Sequence, residues 1–368
     1  MIRILHVIGG MDRAGAETMV MNVYRNIDRT RIQFDFIYFK AKACDYDEEI
    51  LSLGGKIFRI VEGNPAKNFL KLVSFFKQHP EYKIVHSHTL LNIAVNLLAA
   101  RLAKVPVRIA HSHNTQSQLN GSLVYRLYQA ASIYIINKVA TEFIACGYDA
   151  AKFLFRKDTK YTLVHYPINV NEIYSIGLNY RNYIRDQFTI PANVPIYIQV
   201  GRLEEQKNYF FTIKLLKHLK ETREDFRFFI LGRGILEQPI KKKIEESGLA
   251  DHVIMLGVRS DVLKIMAGAD AMLMPSFFEG LPVTLVETQA IGLPALISDA
   301  ITEEVDLGVS LIHRLSLDEK TEVWADKLLA LQREIPHKKN TQVIIDKGYD
   351  VQYAAAFFTN LYLKNSIE

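Results

Sequence analysis

The sequence predicts an α/β protein made of two parallel-sheet domains, and three observations lead there. At 368 residues the chain exceeds what one hydrophobic core usually holds. Short apolar runs alternate with longer amphipathic ones, the pattern of a parallel sheet covered on both faces. The alternation occurs twice, broken by the polar, tyrosine-rich, proline-bounded stretch HYPINVNEIYSIGLNYRNYIRDQFTIPANVP. The expected organisation is a Rossmann-like N-terminal domain over 1–168 and a connection over 169–192. A Rossmann-like C-terminal domain follows over 193–345, and a terminal segment over 346–368.

Taken in order, the strands of the first half are IRILHVI (2–8), QFDFIYF (33–39), KIFRI (56–60), KIVHSH (83–88), VRIAHSH (107–113) and TEFIACG (141–147). Helices fall between them at about 16–27, 66–78, 90–103 and 122–138. In the second half the strands are PIYIQVG (195–201), FRFFILG (226–232), HVIMLG (252–257), AMLMP (271–275) and PALIS (294–298). Their helices lie near 208–220, 237–247, 260–267, 283–291 and 319–332. YDVQYAAAFFTNLYLKN (349–365) reads as a closing amphipathic helix. No segment is of low complexity, and no repeat of about 20–50 residues is present.

Composition narrows the function classes. Hydrophobic residues make up 49% and charged residues 23%, ordinary for a globular enzyme. The two cysteines, Cys44 and Cys146, form no disulfide framework and no metal-binding pair, which fits a reducing compartment. MIRILHVIGG is too short and too soon interrupted for a signal peptide. No apolar run approaches the ~18–20 residues that span a bilayer. The expected location is cytoplasmic. Residues 1–170 hold 22 Lys and Arg against 13 Asp and Glu, whereas the remainder holds 23 against 27. A basic half fits an anionic partner. With no interleaved basic and aromatic pattern, a membrane surface or a lipid phosphate fits at least as well as nucleic acid, and scattered surface charge is the plain alternative.

The chemistry concentrates in PSFFEGLPVTLVETQAIGLPALIS (275–298). Pro282 suits the first turn of a helix, and Gly292 followed by Leu293 and Pro294 ends it. The helix therefore covers about 283–291, directly after a strand and a turn. The free N–H groups near Val283, Thr284 and Leu285 make an anion site. Glu279 precedes the helix and Glu287 lies one turn inside it. A carboxylate accepts two vicinal hydroxyls, as a sugar or ribose offers. VGRLEEQKN (200–208) places Arg202 and Lys207 at the carboxyl end of a strand, where open α/β sheets bind ligands, and the two cations suit a diphosphate.

GRLEEQKN, LGRG, LGVRSDV and the 275–298 segment, in this order and spacing, resemble the nucleotide-sugar domain of retaining family-4 glycosyltransferases of the GT-B fold, most closely those of bacterial capsule and exopolysaccharide synthesis. The resemblance spans essentially the whole chain and is strongest over 197–299. It implies two Rossmann-like domains facing across a cleft, with the last helix crossing back to the first domain. It implies that Arg202 and Lys207 hold the donor diphosphate. Glu287 takes the ribose hydroxyls, and Glu279 contacts the donor sugar and steadies its developing charge. The amides near Gly280, Leu281 and Val283 face phosphate or sugar, and Gly232 and Gly234 allow close approach. Val258 and Arg259 line the base. VIGGMDRAGAET is not a dinucleotide fingerprint, because its glycines do not give G-x-G-x-x-G. Where the family has paired glycines this chain has Ala14 and Gly15, and Gly15 still permits approach to the reacting phosphate.

Histidines stand in pairs, His86 with His88 and His111 with His113. The expectation is that only one of each pair faces the cleft. The resemblance gives the donor-sugar contact to His111, with His113 second, and puts His86, His88, His113 and Asn114 toward the acceptor. A metal site is a weak alternative for these histidines, and packed strand-end histidines an equal one for His86 and His88. Asp45-x-Asp47 matches the metal signature of the other glycosyltransferase architecture, but it reads as a helix start, so no metal is expected. The implied reaction is retaining transfer of a hexose or N-acetylhexosamine from a nucleoside-diphosphate sugar, UDP-linked by resemblance, to a saccharide acceptor on a lipid. Rivals are an epimerase of the same fold and a non-catalytic sugar-nucleotide-binding subunit. An oxidoreductase reading falls with the defective glycine fingerprint.

Overall fold

A computed structural model of the chain describes residues 1–113, 122–222, 225–333 and 335–366. β-branched and aromatic runs bounded by helices give strands buried on both faces, as the all-parallel pairing demands. The chain divides into two units, Met1–Pro167 with Gly348–Glu368, and Ile168–Lys347.

In the first unit the strands are β1 (Ile2–Val7), β2 (Ile32–Tyr38), β3 (Ile57–Arg59), β4 (Ile84–Ser87), β5 (Val107–Ser112), β6 (Glu142–Ala145) and β7 (Thr162–Leu163). They form one parallel sheet of order β3-β2-β1-β4-β5-β6-β7. The order reverses between β1 and β4, which pair with His6 opposite His86. Helices Gly15–Asn26, Pro65–Gln78, Ile93–Leu102 and Leu123–Val139 flank the strands. Helix Pro65–Gln78 starts as its sequence dictates, with Pro65 in the first turn and the Asn64 side chain accepting from the amides of Ala66 and Lys67. The terminal helix Val351–Lys364 is part of this unit and packs on helix Gly15–Asn26. Asp350 caps it, and Ala354, Ala355, Phe358 and Tyr362 form its buried stripe.

In the second unit the strands are β8 (Ile196–Val200), β9 (Arg227–Leu231), β10 (Val253–Gly257), β11 (Ala271–Met274), β12 (Ala295–Ser298) and β13 (Ile312–Leu315). The parallel sheet has order β10-β9-β8-β11-β12-β13, reversing between β8 and β11. Both units thus have the doubly wound order that places ligands beside the switch strands. The stretch read as the connection, 169–192, carries helices Val170–Asn179 and Tyr183–Gln187, which pack against the second sheet's own helices. Gly177 is needed there, since a Cβ would stand 2.7 Å from the Ile291 carbonyl oxygen.

Two strands escaped the sequence reading. β7 is two residues long, and β13, IHRL, reads as polar. Neither offers an apolar run for a pattern search.

The loops after β8, β9 and β10 are knitted together by backbone. The Gly201 amide donates to Leu231, that of Leu203 to Arg233, that of Leu236 to Leu203, and that of Gly232 to Gly257, all at 2.8–2.9 Å. Gly232 has φ +137°, and a Cβ there would lie 1.9 Å from the Gly201 carbonyl oxygen. Gly234 likewise has Leu203 backbone 2.4 Å from its would-be Cβ. The two glycines therefore admit neighbouring backbone. Gly232→Ala is expected to destabilise by at least about 2 kcal/mol, read as a lower denaturant midpoint at unchanged slope.

Candidate active site

In the second unit a lysine and a glutamate meet in the loops that follow β8 and β11. After β8 the chain makes a single turn, Glu205–Lys207, ended by Asn208 in the left-handed region at φ 55°. Asparagine tolerates that conformation, and its amide donates to the Pro275 carbonyl at 3.0 Å. Gln206 links the same two loops. Its carbonyl accepts from the Phe277 amide at 2.9 Å, and its side chain donates to the Phe278 carbonyl at 2.8 Å and to Glu279 Oε2 at 3.3 Å. Gln199, held by Thr212 at 2.7 Å, donates to the Lys207 carbonyl at 2.8 Å. These polar ties fix Lys207 opposite Glu279.

Lys207 Nζ lies 2.6 Å from Glu279 Oε1, with side chains only 15% and 8% exposed. The lysine stem runs over Gly201, where a Cβ would meet Lys207 Cε at 2.8 Å. The sequence reading gave these two residues separate roles; the structure pairs them directly. Arg202 is exposed at the rim and pairs with Glu204 at 3.0 Å.

Helix Val283–Ile291 has the expected bounds, but Pro282 is its N-cap and not its first helical residue. Proline offers no side-chain acceptor, and no side chain caps this end. The Leu285 amide, expected to be free, donates to the Pro282 carbonyl at 2.9 Å. The amides of Val283 and Thr284 therefore carry the positive end of the helix. Gly292 ends the helix at φ 77°, as its position predicted.

Glu287 sits one turn inside, half-buried, and desolvation pushes its carboxyl up to about 7. Among the described residues nothing hydrogen-bonds to it. Leu281 is buried, and Gly280 and Val283 are partly open. Val258 is exposed. Arg259 is held by Asp261 through two bonds of 2.7 and 2.8 Å, and Asp261 also accepts from Tyr183 at 2.7 Å. Arg259 bonding first, and Tyr183, hold the Asp261 carboxyl well below its usual range.

The first unit gathers histidines. His86 and His88 stack at 4.3 Å between ring centroids, and His111 and His113 at 4.0 Å. The expectation that only one of each pair could face one side is overturned, because residues i and i+2 of a strand share a face. His6 of β1, absent from the sequence reading, joins them. Two hydrogen-bonded chains result. One runs from the Tyr166 hydroxyl to His113 Nδ1 (3.0 Å), from His113 Nε2 to His88 Nδ1 (2.8 Å), and from His88 Nε2 to His6 Nδ1 (3.0 Å). The other runs from the Tyr362 hydroxyl to His86 Nδ1 (2.8 Å), and from His86 Nε2 to His111 Nδ1 (3.1 Å). Burial lowers all five imidazoles, His6 and His113 to about 3.

Gly15 opens helix Gly15–Asn26, and a Cβ there would lie 3.2 Å from the ring of Tyr166, the residue that holds His113. Asn114 lies outside the described residues. Asp45 and Asp47 are engaged separately: Asp45 accepts from the Arg13 amide at 3.0 Å, and Asp47 from Arg59 at 2.5 Å and the Cys44 amide at 2.9 Å. Tyr166, Tyr362, Gln199, Gln206 and Asn208 carried no signal in the sequence, since their partners are distant in the chain. His6 had one, a lone histidine inside an apolar strand.

Two doubly wound parallel-sheet units, in the strand orders described, are the arrangement of the GT-B fold. The comparisons agree, and the chain belongs to the family described as glycosyl transferases group 1, which residues 181–334 match. It is 38% identical over 368 residues to EpsF of Bacillus subtilis (strain 168), a glycosyltransferase by name, covering 98% of this chain and 96% of that protein. It is 27% identical over 244 residues to the UDP-Gal:alpha-D-GlcNAc-diphosphoundecaprenol alpha-1,3-galactosyltransferase of Escherichia coli, covering 63% and 62%. The crystal structure of Anabaena Alr3699/HepE in complex with UDP and glucose shares the fold, with TM-score 0.78, 17% identity, and 99% and 100% of the two chains covered.

The raised Glu287 carboxyl has a stability consequence. Between pH 4.5 and 7 the folded chain keeps a proton that the unfolded chain has released, so stability falls as pH rises through that window. Glu287→Gln is expected to remove this decline and to raise Tm at pH 8 in nucleotide-free protein, measured as Tm against pH for both proteins.

Proposed function

We propose that this glycosyltransferase of polysaccharide synthesis is a retaining, family-4 enzyme that moves a hexose or N-acetylhexosamine from a UDP-sugar to a lipid-linked saccharide. The observation that carries the reading is the nearly buried Lys207–Glu279 pair in the loops that precede an uncapped helix.

The task is leaving-group stabilisation. Negative charge grows on the terminal phosphate as the glycosidic bond breaks, and Lys207, Arg202 and the amides of Val283 and Thr284 meet it without rearranging solvent. The diphosphate needs no metal in this clamp. Arrival of the phosphate draws Lys207 away from Glu279, and the freed carboxylate accepts from the sugar hydroxyls. Glu287 receives the ribose diol, and its desolvated carboxyl favours an environment that offers O–H donors. Gly280 and Leu281 contribute backbone, Val258 and Arg259 the wall beside the base, and Gly15 the approach to the reacting phosphate. His111 or His113 contacts the sugar, while His86 and His88 lie toward the acceptor. The departing phosphate takes the acceptor proton on the same face, so the sugar's anomeric configuration is kept.

For the acceptor, helix Leu123–Val139 buries only Ser132, Ile136 and Val139. Its first turns expose Leu123 (73%), Val124 (77%) and Leu127 (63%) beside Arg126. An apolar tip with a cation suits the acyl and phosphate parts of a lipid-linked acceptor at an anionic membrane. The E. coli relative is named for a diphosphoundecaprenol acceptor. No helix among the described residues is long and apolar enough to cross a membrane.

A panel of nucleotide sugars, with and without a polyprenyl-diphosphate saccharide, tests the class. Transfer with release of UDP and an α-linked product by NMR is expected. An isomerised nucleotide sugar from donor alone identifies an epimerase, and donor binding without turnover a non-catalytic subunit. Lys207→Ala is expected to lower kcat about 100- to 1,000-fold. The Lys207→Ala/Glu279→Gln double variant should lose far less than the product of the two single losses, because the residues act as a pair. Unaltered turnover in Lys207→Ala would sink the assignment. In flotation assays the wild-type chain is expected to bind vesicles rich in phosphatidylglycerol, and Leu123→Ser/Val124→Ser/Leu127→Ser to bind them weakly.

A further inference from the structure

The five imidazoles are not fully explained by hydrogen bonding. Each neutral ring has one N–H and one lone pair to satisfy. Both chains of rings stop at a buried nitrogen that has no partner among the described residues, His6 Nε2 in one and His111 Nε2 in the other. An orphaned buried polar atom costs roughly 1–3 kcal/mol, so a fold that collects them at strand tips invites a ligand.

We propose that His88, His111 and His113 bind one divalent transition-metal ion of the zinc class, through His88 Nδ1, His113 Nε2 and His111 Nε2. Each of the three presents a nitrogen within 4.8 Å of the other two. A tetrahedral ion with bonds of about 2.0–2.1 Å asks for nitrogens about 3.3 Å apart, so the rings must adjust to admit it, the His88 and His113 nitrogens moving apart from 2.8 Å. His88 and His113 directly follow β4 and β5, neighbours in the sheet, at its carboxyl edge.

The outer hydrogen bonds favour this set. A metal-bound histidine donates its other N–H to a fixed partner, which orients the ring. With the ion replacing the hydrogen bond between His88 Nδ1 and His113 Nε2, His113 Nδ1–H would donate to the Tyr166 hydroxyl and His88 Nε2–H to His6 Nδ1. His111 Nδ1–H donates to His86 Nε2, and His86 passes its own Nδ1–H to Tyr362. Coordination also employs the orphaned His111 Nε2. The adjacent trio His6, His86 and His88 is also close enough, but it leaves the orphaned His111 Nε2 unused. An all-imidazole, uncharged donor set selects zinc, cobalt, nickel or copper over magnesium or calcium. Three protein nitrogens leave a tetrahedral ion one position for an outside oxygen, and in the metal-loaded chain that position stands in for the direct sugar contact proposed above for His111 or His113. All three ligands belong to the first unit, whereas Lys207 and Glu279 belong to the second.

The test uses the full chain without a polyhistidine tag, stripped with chelator and titrated with Zn²⁺ or Co²⁺ in the absence of nucleotide sugar. Calorimetry and elemental analysis are expected to give one ion per chain, Tm to rise, and Co²⁺ to develop the visible bands of a four-coordinate site. His111→Gln and His113→Gln should each weaken binding by at least about 100-fold, and Tyr166→Phe by about tenfold. His6→Gln should keep it within about tenfold, and the exposed His337→Gln should leave it unchanged. If the wild-type chain takes up no stoichiometric ion, or no four-coordinate Co²⁺ bands appear, the proposal fails whatever the variants do. It also fails if folded His111→Gln binds normally or if His6→Gln abolishes binding. None of these readouts requires the chain to be a transferase.

Discussion

Parallel strands deliver all their carboxyl ends to one edge of a sheet, and every candidate group here follows from that constraint. Side chains on one face of neighbouring strands stand side by side where the strands stop. In the first unit the tips of β1, β4 and β5 bring together His6, His86, His88, His111 and His113. In the second, the loops after β8 and β11 bring Lys207 to Glu279. Each set straddles or adjoins the place where strand order reverses, so topology and not local sequence makes the neighbours.

The two sets solve the problem of burying polar atoms differently. Lys207 and Glu279 neutralise one another at 2.6 Å, inside a frame of side-chain amides that leaves the pair little freedom. Taking away one partner strands a charge, which makes the pair responsive to an incoming anion. The imidazoles carry no charge at neutral pH, because burial keeps them from protonating. Among the described residues they are held by one another and by two tyrosine hydroxyls, with two nitrogens left unpartnered.

How much of this was legible depended on whether the cause was local. The helix Val283–Ile291 was readable to the residue, because Pro282 and Gly292 punctuate it through their own backbone preferences. The fold was readable because the alternation of strand and helix is a property of short windows. The Lys207–Glu279 contact was not, since the two stand 72 residues apart and nothing in either segment encodes their pairing. The error over the paired histidines was one of geometry, as alternate residues in a strand lie on one side. Gly232 and Gly234 were recognised as positions of close approach; that Gly201 and Leu203 are the backbone crowding them is visible only once the loops are stacked.

The last helix has a consequence for how the protein is made. Tyr362 reaches His86 across 276 residues of chain, and helix Val351–Lys364 closes the unit that contains the first strand. A nascent chain therefore emerges with all seven strands of its opening sheet made but without the helix that closes their unit, which waits while the ribosome builds everything in between. The second unit, continuous from Ile168 to Lys347, has no such wait and is free to fold first.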